Sequence, residues 1–150
     1  MPSGPSFSSA LAAAPPILDL AFDAGTLHEV RAQVRIQTRQ AGLPDDRAVD
    51  VVLAVHELAA NAVRHGAGAG QLEMSVRDGR LHCQVSDVGP PRVVGQWPVT
   101  GIVTAQPWPV QRGHGLWIVQ ATADQVTVAW GSAGSQVTAV FALPGGIRPA

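Results

Sequence analysis

Three features of the 150-residue chain predict an α/β fold, a two-layer sandwich in which helices cover one face of a mixed, mostly antiparallel sheet. Two adjoining segments, 27–41 and 44–64, carry apolar residues at helical spacing. Segments 72–76 and 81–85 alternate apolar with polar residues around Asp78-Gly79, a hairpin signal. Two more strand-like runs, 125–130 and 135–143, follow a helix that opens at Gly113-His-Gly115.

In chain order, residues 1–16 are rich in Ser, Ala and Pro and read as a disordered tail. One folded domain is expected at 17–144, with a short tail at 145–150. Ile17 to Phe22 reads as a strand. Thr26-Leu-His-Glu29 has the form of a capping box, Val30 and Val34 follow on one face, and Gly42 is a stop signal, which gives a helix over 27–41. Pro44 and Asp45-Asp46 open the second helix, where acids favour the N-terminus, and it runs to Arg64. At 100° per residue, Ala48, Val52, Val55, Ala59, Ala62 and Val63 form its core face, while Glu57, Asn61, Arg64 and His65 point elsewhere. Asp87 continues the inward series Leu81, Cys83, Val85, and an inward acid needs a partner. Residues 88–112 hold five prolines and no sustained period, a length and composition typical of a lid, and Trp97 and Trp108 give it apolar surface to pack.

Composition narrows the function. Net charge is −1, with no basic run, so nothing favours a nucleic-acid or membrane-surface partner. The absence of lysine removes P-loop and Schiff-base chemistry. The single Cys83 lies in phase with core residues and reads as a buried small hydrophobe, consistent with a reducing, cytoplasmic setting. The first arginine is Arg31 and the apolar stretch Ala10–Leu18 is broken by Pro15-Pro16, so neither a signal peptide nor a membrane span is expected.

Glu57 and Asn61, four residues apart, share one helix face and read either as a solvated polar stripe or as a ligand site. Gly113 and Gly115, before a helix whose first turn has no acid, leave backbone N–H groups free for an anion or serve as a hinge. A Rossmann fingerprint fails because Ile118 takes the last glycine position, and a zinc-protease motif fails because Ala60 stands where the second histidine is required. A magnesium ion held by Asn61 and phosphate oxygens is compatible with the few protein ligands that ion takes. Asp87-Val-Gly89 offers an acceptor-only carboxylate beside a glycine that lets a flat group approach, which suits an exocyclic amine such as that of adenine, or caps the next turn.

Glu57-Leu-Ala-Ala-Asn61-Ala-Val-Arg-His65-Gly66, Asp87-Val-Gly89-Pro-Pro91, Gly113-His-Gly115-Leu-Trp-Ile-Val and Gly134-Ser135-Gln-Val137 together resemble the motif boxes of the GHKL (histidine-kinase-like) ATPase superfamily, and in particular its small anti-sigma-factor serine/threonine protein kinases. The resemblance covers about residues 17–144 and implies the Bergerat fold. It also implies ATP and Mg2+ as cofactors, with Glu57 as general base and Asn61 as the magnesium ligand. Nucleotide contacts would come from Asn61, Asp87, Gly89, Arg112, Gly113, His114, Gly115, Leu116 and Ser135. The implied partners are a sigma factor and an anti-sigma-factor antagonist, with a homodimer as the assembly. The alternative is a non-catalytic nucleotide-binding module that sequesters a regulatory protein. Pro90-Pro91, His114 and Ser135 depart from the residues usual at those places.

Overall fold

Alternating apolar residues make strands whose one face must be covered, and here helices cover it. A computed structural model describes residues 15–65, 67–88, 101–103, 116–131 and 134–144. In order these form β1 (Leu18–Asp23), a 3-10 turn (Ala24–Thr26), α1 (Leu27–Gln40), α2 (Asp45–His65), β2 (Ala69–Arg77), β3 (Arg80–Val88), β4 (Gly101–Val103), α3 (Leu116–Thr122), β5 (Gln125–Gly131) and β6 (Gly134–Ala142). The sheet order is β1-β2-β3-β6-β5-β4, and every pair among the described residues is antiparallel, where a mixed sheet was the expectation. The two-layer α/β architecture is as predicted. No helix among the described residues is long and apolar enough to cross a membrane.

Leu72, Met74, Leu81, Cys83, Val85, Val128 and Phe141 point to the covered face and are buried with Val30, Val34 and Val119 of the helices. Full burial of each such side chain contributes about 1.5–3 kcal/mol relative to exposure. Cys83 is fully buried, and burial pushes its thiol up to about 12, in keeping with a packing role. Asp78 and Gly79 both adopt positive φ, as the tight β2–β3 hairpin requires. Opposite Phe22, Gly70 has no room for a side chain: a Cβ there would lie 2.6 Å from the Ser86 carbonyl oxygen and 2.7 Å from Phe22 Cζ.

Three local expectations need correction. The capping box lies three residues earlier than Thr26…Glu29: the Asp23 carboxylate accepts from Gly25 N at 2.9 Å, and Asp23 N donates to Thr26 Oγ1 at 2.9 Å. Thr26 makes no side-chain cap for α1, because the 3-10 turn already extends the helix start upstream. The buried face of α2 holds the expected Ala48, Val55, Ala59 and Ala62, with Val52 and Val63 half-buried against the core, but is wider than expected and adds Val51, Ala54, Leu58 and Ala60, since α1 and α3 flank the helix as well as the sheet beneath it. The stretch 88–112, expected to lack regular structure, contains β4, a short β-branched run that pairs with Trp130–Val128 of β5. The rest of that stretch, Trp97 and Trp108 included, lies outside the described residues, as do the expected tail residues 1–14 and 145–150.

Arg47, in the first turn of α2, joins the two halves of the chain. Its Nη1 donates to Asp50 Oδ2 at 2.9 Å and to the Thr122 carbonyl at 2.6 Å, and its Nη2 reaches Asp124 Oδ2 at 3.0 Å. Its guanidinium lies 5.2 Å from the centre of the Phe141 ring. Asp124 Oδ2 also accepts from Ala142 N at 2.7 Å. The start of α2 thereby holds the end of α3. Arg47→Ala leaves the Thr122 carbonyl and the Asp124 carboxylate short of a donor. It is expected to lower stability by about 2–4 kcal/mol in urea unfolding, where an exposed arginine would cost less than about 0.5 kcal/mol.

Candidate functional site

The chain leaves α2 at His65 and enters β2 at Ala69, with Gly68 N donating to the Ala62 carbonyl at 3.3 Å as the helix closes. Gln71 then stands opposite Ser86, and Asp87 opposite Ser135. The C-terminal half of α2, the end of β3 and the start of β6 consequently meet at one end of the sheet. Because side chains alternate along a strand, Asp87 faces the helical layer like Leu81, Cys83 and Val85 before it, and Ser135 shares that face with Val137.

Ser135 Oγ donates to Asp87 Oδ2 at 3.2 Å. The other oxygen, Oδ1, is buried and has no hydrogen-bond partner among the described residues. Burial raises the Asp87 carboxyl above its ordinary value of 3.8, and the bond from Ser135 opposes the rise. Asn61 is half-buried: its Oδ1 lies 3.5 Å from Arg64 Nη2, while its buried Nδ2 has no partner among the described residues. One turn earlier, Glu57 is half-buried and makes no ion pair or hydrogen bond among the described residues. Thr38, Arg77 and Gln120 also hold buried polar atoms without partners, so no single orphan marks a site. Asn61 and Asp87 are the two that α2 and β3 bring to the same end of the sheet, which makes them the candidate.

Chemically, the arrangement offers an inward acceptor at Asp87, held from one side by a hydroxyl, and an amide at Asn61 whose two ends exchange by rotation about its terminal torsion. The free Asp87 oxygen fits a ligand N–H. The Asn61 amide fits a ligand oxygen or, turned over, a cation. No cluster of three or more His, Cys, Asp or Glu side chains among the described residues could hold a metal alone, so a magnesium ion here would rest on Asn61 and on ligand oxygens.

Of the residues expected at the site, Glu57, Asn61, Asp87 and Ser135 are brought to this end of the fold. Leu116 opens α3, where its backbone alone is described, and Gly89, Arg112, Gly113, His114 and Gly115 lie outside the described residues. The hydrogen bond from Ser135 to Asp87 was not legible in the sequence. It depends on which residues of β3 and β6 face each other, and the two are 48 positions apart.

An antiparallel sheet covered on one face by helices, with a carboxylate and a carboxamide at one end, defines a class of ligand-binding α/β domain. The chain belongs to the histidine kinase-like ATPase domain family, whose model matches residues 20–141, from β1 to the penultimate residue of β6. Membership implies ATP binding. No curated protein matches the chain in sequence.

With its pKa raised on folding, ionised Asp87 weakens the fold, and that cost grows as pH rises from the ordinary carboxylate range through the folded pKa. Asp87→Asn is therefore expected to raise the nucleotide-free melting temperature near neutral pH, with the gain shrinking as pH falls below the unfolded value. Ser135→Ala is expected to move the Asp87 titration further up, read from its side-chain carbonyl by carbon NMR. A downward move would contradict the donor role of Ser135.

Proposed function

We propose that this chain is an ATP-dependent serine/threonine protein kinase of the anti-sigma-factor type, which binds a sigma factor and phosphorylates a serine on an antagonist protein. The observation that carries the ATP site is the buried, unpartnered oxygen of Asp87 at the same sheet end as Asn61. Asp87 would accept the exocyclic amine of adenine, Ser135 would hold the carboxylate for it, and Asn61 would hold magnesium. Bound magnesium would neutralise charge on the phosphates. Glu57, half-buried and without an ion pair or hydrogen bond among the described residues, would accept the proton of the incoming serine hydroxyl. The anti-sigma role rests on the resemblance of the motif boxes, and it carries with it a cytoplasmic setting and a homodimer.

A second reading, a nucleotide-binding module that sequesters its partner without transfer, draws support from the same Glu57: no described hydrogen bond orients its carboxylate, as a general base requires.

Calorimetric titration with ATP and magnesium tests the site. Asp87→Asn is expected to weaken ATP by about 10–100-fold, the loss of one hydrogen bond to a charged group, and Asn61→Ala to reduce the magnesium dependence. Tight ATP binding by the Asp87 variant would overturn the assignment. Transfer of labelled γ-phosphate to an antagonist protein separates the two readings. Glu57→Gln is expected to slow transfer by about 10²–10⁴-fold with ATP affinity unchanged, whereas binding without any transfer by the wild type would favour the module.

A further inference from the structure

A groove of about 260 Å³ runs between α1 and α2, its Val49 and Leu53 continuing toward the start of α2 the i, i+4 row of Glu57 and Asn61. Its floor is apolar. Ala48 and Val52 lie deep in it, while Val49 and Leu53 stand on its edge at 56% and 40% exposure, unusually open for side chains of that size. Val49, Val52, Leu53 and His56 follow the i, i+3, i+4, i+7 spacing of a helix seam that lacks its partner.

The other lip is a row of arginines. Arg31, Arg35 and Arg39 line the groove from α1 at one-turn intervals, a row about 12 Å long at 1.5 Å per residue. The two ends of the row are engaged. Arg31 Nη1 lies 3.2 Å from His56 Nδ1, and Arg39 Nε lies 3.3 Å from Asp45 Oδ1. Arg35 has no ion pair among the described residues, and those residues include all eleven acids of the chain. No other segment of this chain holds an acidic side chain that could meet it.

We propose that this groove docks an amphipathic helix of a partner protein, one whose apolar stripe is bordered by a carboxylate on each turn. The stripe seats on Val49, Val52 and Leu53, and the carboxylates align with Arg31, Arg35 and Arg39. The arginines stand in line rather than converging on a point, so they match a row of charges better than a single phosphate. The recessed floor between two helices admits a ridge of side chains and is out of reach of a flat lipid surface. Two copies of this face placed α1 against α1 would bring arginine against arginine. The inference stands on the groove alone and does not depend on the nucleotide site.

A phage-displayed library of randomised helical peptides, selected on the full chain with counter-selection on Leu53→Asp, tests it. Enriched sequences are expected to carry the i, i+3, i+4, i+7 apolar stripe and an acid on each turn beside it. By fluorescence anisotropy, Arg35→Glu is expected to weaken the selected peptide by about tenfold or more, and exchanging the facing peptide carboxylate for lysine to restore binding to that variant alone. Unchanged melting and ATP titration of Arg35→Glu and Leu53→Asp would establish that both remain folded. The proposal falls if no sequence is enriched, if enriched sequences lack the acids, or if Arg35→Glu binds as the wild type does. It falls equally if sedimentation shows a wild-type dimer that Leu53→Asp dissolves, which would make a second copy the occupant, or if anionic vesicles bind through Arg35 and the peptide does not compete.

Discussion

The pairing of β3 with β6 governs this molecule. Nine residues of each strand face one another across the centre of the sheet, joining the half that carries α1 and α2 to the half that carries α3. Strand register admits no intermediate values: a slip of one residue would turn Asp87 to the uncovered face and bring Ser86 inward. The buried series Leu81, Cys83, Val85 opposite Phe141, Ala139, Val137 resists that slip, since it would expose the whole row. The hydrophobic core thus sets the orientation of a carboxylate with which it shares no chemistry.

α2 bears three loads on one cylinder. One face supplies core, the later turns of the row Val49, Leu53, Glu57, Asn61 carry the carboxylate and carboxamide, and its earlier turns with Val52 and His56 line the groove against α1. A buried polar atom without a partner costs about 1–3 kcal/mol, and both Asn61 Nδ2 and Asp87 Oδ1 are in that state. Arg47 shows the opposite condition, a half-buried cation with hydrogen bonds to two carboxylates and a carbonyl and an aromatic ring within reach. Thr38, Arg77 and Gln120 carry orphaned atoms as well, so it is the shared position of Asn61 and Asp87 at one end of the sheet, not the missing partner alone, that makes them a candidate site.

Local patterning made most of the fold legible. Period-two alternation located β2 and β3, helical spacing located α1 and α2, and Asp78-Gly79 and Gly42 marked a turn and a stop, because each of these is decided by near neighbours in the chain. Interactions decided at a distance were not legible. The true core face of α2 depends on what flanks it, the short β4 depends on the β5 edge, and the hydrogen bonds of Arg47 reach 75 and 77 positions along the sequence. At the site, Glu57, Asn61 and Asp87 were legible as a motif, and Ser135 as a position without its bond. The arginine row was present in the sequence at i, i+4, i+8, but nothing there indicated that α2 would leave an apolar groove beside it.

Gly70 has a consequence for how the amino-terminal strand finds its place. An edge strand has one neighbour, and β1 could in principle slide along β2 in steps of two residues while keeping its apolar face inward. The Phe22 ring, however, lies over the one position in β2 that lacks a side chain. Sliding one way would set it against Leu72, where there is no space, and the other way against Gly68, beyond the start of the strand. The vacancy works as a keyhole for the ring. It stops β1 where Asp23 can begin the turn into α1, and so one absent methyl group decides where the helical layer starts.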